Sequence, residues 1–568
     1  MKKIYIILTV VALALCSCVN LNLKPTSDPS SDNWYQNADQ IILSLNDLYR
    51  TYLYNIENEY WTDRRTDDWA QRVQVYEMTN GSATSSTSFF STNWLNTYKG
   101  ISRAIRVIES IEKLGDPADL KVYKAEACFF RAYLYGRLTV CWGDAPFYIN
   151  SITYQEAYKM GRTDKNIIKE QVYKDYDYAI ENLPVSNNGG GVTRIDRCAA
   201  LALKGRYALM MGEYKICAES CKELIDLDVK KLYYSTENPA DSYGEYFRDK
   251  TYNCETIFAI GRSYSLAPDQ TENIKSWVLR TAGGNAVAQP SWDLLAAYEC
   301  TDGKIITESP LFDPKDPYKN RDPRCNMTFA APSSIVFGVV FQPHPDSLTV
   351  YDEVSGKKVK NQDTKSNDAN CAYNGCCIRK GVQPEWKTGL YNENPVVICR
   401  YADVLLMYAE AKIELGEIDN SVLNAINKVR ARAYGVSLDE TTKYPAITTT
   451  DQAALRKIVR RERRVELSWE GIRFFDLRRW GLLKKCYSSH YYGLLNKTGL
   501  ETYAANGHWF WPRTPEIDED GFADFSPWFN EGLIELYGFH MYDPKVELFP
   551  IPDTEIIINP NLVQNPGY

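Results

Sequence analysis

Histidine is the scarcest chemical resource of this chain: only four occur in 568 residues, His344, His490, His508 and His540, and no two fall at metal-ligand spacing. No CxxC pair is present among the cysteines, so a zinc site of the usual N/S type has no ligand set and no metal is expected. GxSxG, Walker and GxGxxG elements in the strand-turn-helix setting they require are also missing, which removes the common serine hydrolases, P-loop nucleotide enzymes and dinucleotide-binding enzymes; no catalytic residue and no cofactor is expected. An excess of basic charge is lacking too. Lys and Arg number 65 against 73 Asp and Glu, a net charge of −8, and such a chain has no electrostatic footprint for nucleic acid. Long apolar runs are absent: the most apolar stretch, Ile4 to Leu15, is too short to span a bilayer as a permanent helix.

That short run has another use. Residues 1–17, MKKIYIILTVVALALCS, combine a basic start, an apolar middle and small residues before Cys18, the pattern of a secretory signal. Leu15-Cys16-Ser17-Cys18 resembles a bacterial lipoprotein box, with cleavage after Ser17 and acylation of Cys18. Several acyl chains on one cysteine anchor a protein stably where a single chain does not. Residues 18–33, rich in Pro, Ser, Asn and Asp, read as a tether, and the body spans 34–568. Once Cys16 leaves with the leader and Cys18 carries lipid, an odd number of cysteines remains. Most of them, such as Cys128, Cys198 and Cys217, lie in apolar helical patterns as small core residues; Cys371, Cys376 and Cys377 sit in a loop-like segment where a disulfide is open.

Hydrophobic periodicity makes the body mainly α. Helices are expected at about Ala38 to Tyr54, Trp94 to Leu114, Asn166 to Asn182, Asp196 to Met211 and Tyr214 to Asp226, with the Glu126 to Phe147 segment stopping at Gly143 and Pro146. Ala199, Ala202, Gly205 and Ala218 let two of these helices approach closely, as in a tetratricopeptide hairpin, and Tyr401 to Tyr434 reads as helix, Gly416 turn, helix. Helical hairpins therefore occupy about 38–226 and 399–481. Between them, about 227–398 is Gly-, Pro-, Tyr- and Asp-rich with short β-like runs such as Ser334 to Phe341; it is too long for a connector and reads as an ordered, largely irregular lobe. The segment 482–568 is again irregular.

One stretch, Arg461 to Gly481 (RERRVELSWEGIRFFDLRRWG), reads as a single helix carrying Glu462, Glu466 and Glu470 four residues apart, near Arg463, Arg464 and Arg473, with Val465, Trp469 and Ile472 on another face. It is expected to be a structural ion-pair network. A general acid and base at Glu470 and Asp476 would need a nucleophile or metal ligand that the stretch lacks. Its Glu462, Arg463, Glu466, Glu470, Gly471, Arg473, Asp476, Arg479, Trp480 and Gly481 resemble the late-helix hallmark of the SusD/RagB family, surface nutrient-binding lipoproteins of Bacteroidetes. Glu126 to Phe147, Pro290 to Tyr298, Asp302-Gly303, Arg321 to Arg324, the Tyr401 block and the closing Leu548 to Tyr568 are similar to other landmarks of that family. The resemblance implies four tetratricopeptide-like hairpins in an α-superhelix, an outer-membrane, cell-surface location, no catalysis, and capture of oligosaccharides for a TonB-dependent SusC-like porin. Peptide capture by the same machinery and a surface glycoside hydrolase are the alternatives.

Sugars present C–H faces and rings of hydroxyls, so their sites combine flat aromatic surfaces with carboxylate, amide or guanidinium groups. With 41 Tyr and 13 Trp the chain is well supplied. Trp61, Asp67, Trp69, Arg72 and Tyr76, together with Asp63, Arg65, Asp68 and Gln71, offer that mixture in one short non-periodic stretch and are the leading ligand-binding candidates. Trp277 with Trp292 is a second candidate, and Tyr373 with Trp386 a third. Asp518, Asp520 and Asp524 around Gly521 fall short of calcium-loop spacing and read as a solvated acidic turn.

Overall fold

The structure is a computed structural model that describes residues 34–56, 63–72, 77–186, 194–249, 253–265, 272–369, 371, 373–383 and 386–568. The leader, Cys18, the tether, Trp61 and Tyr76 lie outside the described residues.

Nine long helices and one short one carry the frame: α1 (Ala38–Asn46), α2 (Ser88–Lys113), α3 (Lys121–Trp142), α4 (Lys165–Asn182), α5 (Arg197–Met210), α6 (Tyr214–Asp226), α7 (Tyr401–Glu414), α8 (Asn420–Ala433), α9 (Gln452–Glu466) and α10 (Arg473–Arg479). Five of these ten N-termini are capped by a side chain. Side chains of Asn37, Asp164, Asp196, Asp419 and Asp451 accept a bond from the first turn of α1, α4, α5, α8 and α9, satisfying backbone donors that the helix leaves free. Consecutive helices pack from α1 through α6, and α6 then packs on α7, which is shared by α8 and α9. The superhelix is thus continuous in space although the irregular lobe interrupts it in sequence. The α5–α6 contact depends on Gly205, where a Cβ would stand 3.0 Å from Cys221 Sγ. Ala38 to Tyr54, expected as one helix, is α1 followed by two 3-10 turns.

Strands are few and short. Trp69–Gln71 pairs antiparallel with Ala288–Pro290, Thr256–Ile260 with Val396–Arg400, and Glu272–Asn273 with Tyr391–Asn392; a four-stranded meander runs from Ile335 to Lys360. Two large apolar cores result, with a small third cluster of Ala70, Tyr373 and Tyr491. One lies within the helical stack and is closed by the C-terminal segment, where Phe549 packs edge-on to Trp142 and the Trp142 indole donates to Pro550 O at 2.9 Å. The other fills the lobe with Trp69, Trp277, Trp292, Trp386, Trp469, Trp511 and Trp528. The thirteen cysteines from Cys128 onward are all free thiols, twelve of them buried, so the disulfide left open at Cys371, Cys376 and Cys377 is not formed. No described helix is long and apolar enough to cross a membrane.

Candidate functional site

The charged stretch is two helices with a break. α9 ends at Glu466, Trp469 takes φ +59°, Gly471 φ +75°, and α10 begins at Arg473. A non-glycine residue at positive φ is costly, and its return here is tertiary. The Trp469 ring stacks on Trp69 at 4.7 Å and its indole donates to Asp68 O at 3.1 Å. The break also changes the pairing expected from helical spacing. Glu462 accepts from Arg324 (2.6 Å) and Arg430 (2.7 Å), Glu466 from Arg324 (2.9 Å), Arg400 (2.6 Å) and Arg432, and Glu470 from Arg400 (2.7 Å) and Lys380 (2.7 Å). Arg463 turns the other way, to Asp403 and Asp476. Every one of these groups is buried, so the network fastens the lobe (Arg324, Lys380) to α8, α9 and the strand that leads into α7.

Burial alone would raise these carboxyls, and the sign of each shift reports its partners. At Glu466 the guanidiniums of Arg432, Arg400 and Arg324 outweigh burial and hold the group well below its ordinary value. Asp67 is likewise brought down to about 2 by Arg464 and Arg473. Asp63 and Asp293 go the other way: burial raises both, reinforced by the charge of Asp68 at the first and of Asp67 at the second, and each keeps a carboxyl oxygen without a hydrogen bond. The pH dependence follows. As pH falls from neutral toward the unfolded carboxylate range near pH 4, the raised groups take up protons in the folded state first and stability rises. Below it only the depressed groups matter; their stabilisation, fully present above the unfolded value, is lost as pH drops toward about 2 for Asp67. Melting temperature is therefore expected to peak in the mildly acidic range, with Asp293→Asn flattening the neutral side. A wild-type protein that melts progressively lower from pH 7 to pH 5 would contradict this.

Most of the residues chosen from sequence as ligand surfaces are interior. Asp67 is buried between Arg473 (2.9 Å) and Arg464 (2.9 Å). Trp69 is 1% exposed beneath Trp469, Trp277 is 0% exposed against Trp386, and Trp292 is 2% exposed, its indole bonded to Asn374 O at 2.7 Å among Phe510, Trp511 and Trp528. Tyr373 bonds its hydroxyl to Ala70 O. These rings anchor loops, and none presents a face to solvent. Among the described candidates only Gln71 and Arg72 reach the surface, Arg72 held by its backbone N–H to Val287 O at 3.1 Å.

Two surface features were not found from sequence. The first is a pair of exposed rings, Tyr264 and Tyr391, 46% and 40% exposed with centroids 4.7 Å apart. The Tyr264 N–H donates to the Glu393 carboxylate at 2.7 Å and Arg262 donates to Asn394 O at 3.2 Å, which fixes the pair beside the Glu272–Asn273/Tyr391–Asn392 ladder. Both tyrosines stand in polar, non-periodic sequence, but only strand pairing brings them together. The second is a cleft of about 600 Å³ between α9, the Ala296 to Glu308 stretch and the turn at Ile517 to Gly521. Arg456, Lys457 and Arg460 line it from α9, and Asp518, Glu519 and Asp520 from the turn. Its one tryptophan, Trp480, lies under the guanidiniums of Arg460 (5.0 Å) and Arg479 (4.8 Å), so cations use that ring. The Lys485 ammonium bridges Asp518 and Asp520, and no group of acids, cysteines or histidines able to hold a metal occurs among the described residues.

The profile of the SusD family matches residues 254–568, more than half of the sequence. The chain belongs to the SusD family. A second profile, described as starch-binding associating with outer membrane, matches residues 21–209. Among solved structures, a SusD-like carbohydrate binding protein from Bacteroides fragilis superposes with TM-score 0.74 at 25% identity, covering 93% of this chain and 99% of that one. Surface glycan-binding protein A from Bacteroides fluxus shares the fold, with TM-score 0.60 at 20% identity over 94% and 100% of the two chains. SusD-like protein P25 of Formosa agariphila is 26% identical over 416 residues, 69% of this chain and 70% of its own. The SusD family is non-catalytic, and this member is a binding protein, not an enzyme. Its mainly helical architecture with few short strands is that of the SusD-like structures.

Proposed function

We propose that this SusD-family protein is anchored at the cell surface through a lipid on Cys18, captures oligosaccharides and delivers them to a TonB-dependent SusC-like outer-membrane porin. The observation that carries the reading is the exposed Tyr264–Tyr391 pair. Two flat rings held side by side by backbone anchors, with the Arg262 guanidinium and Glu393 carboxylate next to them, match the alternation of C–H faces and hydroxyls on a sugar chain. The description of the Bacteroides fragilis relative as carbohydrate binding and the outer-membrane wording of the second profile support it. Trp61, Arg72 and Tyr76 are proposed to extend the platform from the Asp63 to Arg72 stretch, whose interior residues are spent on packing.

Peptide capture is the second reading, and the charged cleft favours it: guanidiniums on one wall and carboxylates on the other suit a zwitterionic chain better than a neutral sugar. A screen of the purified protein against polysaccharides and peptides separates the two. With the best-binding neutral glycan, Tyr264→Ala combined with Tyr391→Ala is expected to weaken binding by about 1–3 kcal/mol, the scale of removing buried aromatic area, at unchanged melting temperature. Undiminished affinity would remove the platform, and binding of peptides alone would move the function to the cleft.

A further inference from the structure

Among the described residues Arg72 is a cation without a partner. Its guanidinium makes no hydrogen bond or ion pair to any described residue, and its Nε is shielded from solvent with no acceptor. The groups around it add to the positive charge. Tyr373, bonded to Ala70 O two residues before Arg72, packs at 5.4 Å on Tyr537, whose hydroxyl receives the buried Lys365 ammonium. Among the described residues Lys365 has no carboxylate within hydrogen-bond reach; its other donors go to Leu494 O (2.8 Å) and Leu495 O (2.6 Å), and burial, outweighing the charge of Glu535, lowers it to about 8. Arg280 lies in the turn that runs from Ser276 to Val287, closed by Val287 N–H to Ser276 O (2.9 Å) and Ala286 N–H to Val278 O (3.1 Å), and Val287 O takes the Arg72 N–H (3.1 Å); burial and then the Arg280 charge hold Arg72 below its ordinary value. Among the described residues Arg280 pairs only with Asp368, at 2.9 Å, and its own Nε has no acceptor. Of the other acids nearby, Asp363 is turned inward to cap the N–H groups of Arg280 and Thr281 (2.9 and 3.1 Å), and Glu535 is bonded to Tyr537 and Asn496. Among the described residues, the one carboxylate hydrogen-bonded to any of these three cations is Asp368, itself partly exposed.

An unpaired, partly desolvated guanidinium beside like charge is unfavourable until an anion joins it. Two arginines offer planar forks, which bond carboxylate or sulfate oxygens in pairs. We infer that Arg72 and Arg280, backed by the Lys365 ammonium, form a subsite for an anionic group carried by the captured saccharide, either a uronate carboxylate or a sulfate ester. The inference rests on the glycan reading above and names its substrate class.

The test measures binding of the full-length protein in detergent to two matched pairs: polygalacturonate and its full methyl ester, and dextran sulfate and dextran. The wild type is expected to prefer one anionic member over its neutral counterpart at least tenfold, with affinity falling as salt rises; which pair shows the preference distinguishes carboxylate from sulfate. Arg72→Ala is expected to abolish that preference, and Arg72→Lys to retain part of it, both at wild-type melting temperature. Equal binding of charged and neutral members, or an anionic preference within twofold of wild type in Arg72→Ala, overturns the subsite while leaving glycan capture standing. Failure to bind these and every polysaccharide of the screen overturns both.

Discussion

Replacing Glu466 by alanine is expected to cost on the order of 5 kcal/mol of stability, the upper range for breaking a buried ion pair. The side chain is 0% exposed and accepts from Arg324, Arg400 and Arg432 at once. Deleting it leaves three guanidiniums short of an acceptor where water cannot replace it, although Arg324 keeps Asp322 and Arg400 keeps Glu255. Because Arg324 belongs to the lobe and Arg432 to α8, the lost bonds are those that join the two cores. The expected signature is a lowered denaturant midpoint with the lobe loosening first, read by tryptophan fluorescence, since the lobe core contains seven tryptophans. Glu466→Gln, which keeps some acceptor capacity, is expected to fall between. A midpoint equal to wild type in Glu466→Ala would show that the network is not what fastens the lobe.

The second large effect is expected at Trp69. Trp69→Ala removes an indole that is 1% exposed and stacked on Trp469 with an interplanar angle of 23°, so a cavity is left beside the strained turn. The cost is about 3–5 kcal/mol, as for other buried large aromatics cut to alanine. Trp469 then loses the stacking that helps hold it at positive φ and keeps its indole bond to Asp68 O, and the α9–α10 break is expected to become more mobile in hydrogen exchange. Ligand affinity measured well below the melting temperature is expected to stay near wild type. Lost binding at unchanged stability would instead make Trp69 a ligand surface.

Trp69 also shows where the sequence stops being informative. A tryptophan between Asp67, Asp68 and Arg72 has the composition of a sugar site, and nothing in that stretch says that its ring will meet Trp469, four hundred residues later. Asp67 misleads in the same way: a carboxylate in a polar loop reads as solvated, yet Arg464 and Arg473 draw it inside. Arg461 to Gly481 was legible in its chemistry and not in its shape. The alternation of Glu and Arg marks a structural ion network, but local spacing assigns the partners to the same helix, whereas the arginines that Glu466 binds come from α8, the lobe and the strand before α7.

By itself the sequence determined the helical frame, because apolar periodicity, caps such as Asp196 and Asp451 and the close-approach glycine Gly205 act over a few residues, within reach of a local reading. It determined the family as well, since the same local motifs recur from Glu126 to Tyr568. Which aromatics are buried, which carboxylate meets which arginine, and which surface is left for ligand were decided only by tertiary structure. Those outcomes depend on pairs such as Tyr264 with Tyr391, Trp69 with Trp469 and Asp67 with Arg473, far apart along the chain and adjacent only after the lobe folds onto the helices, where desolvation sets the worth of every ring and charge.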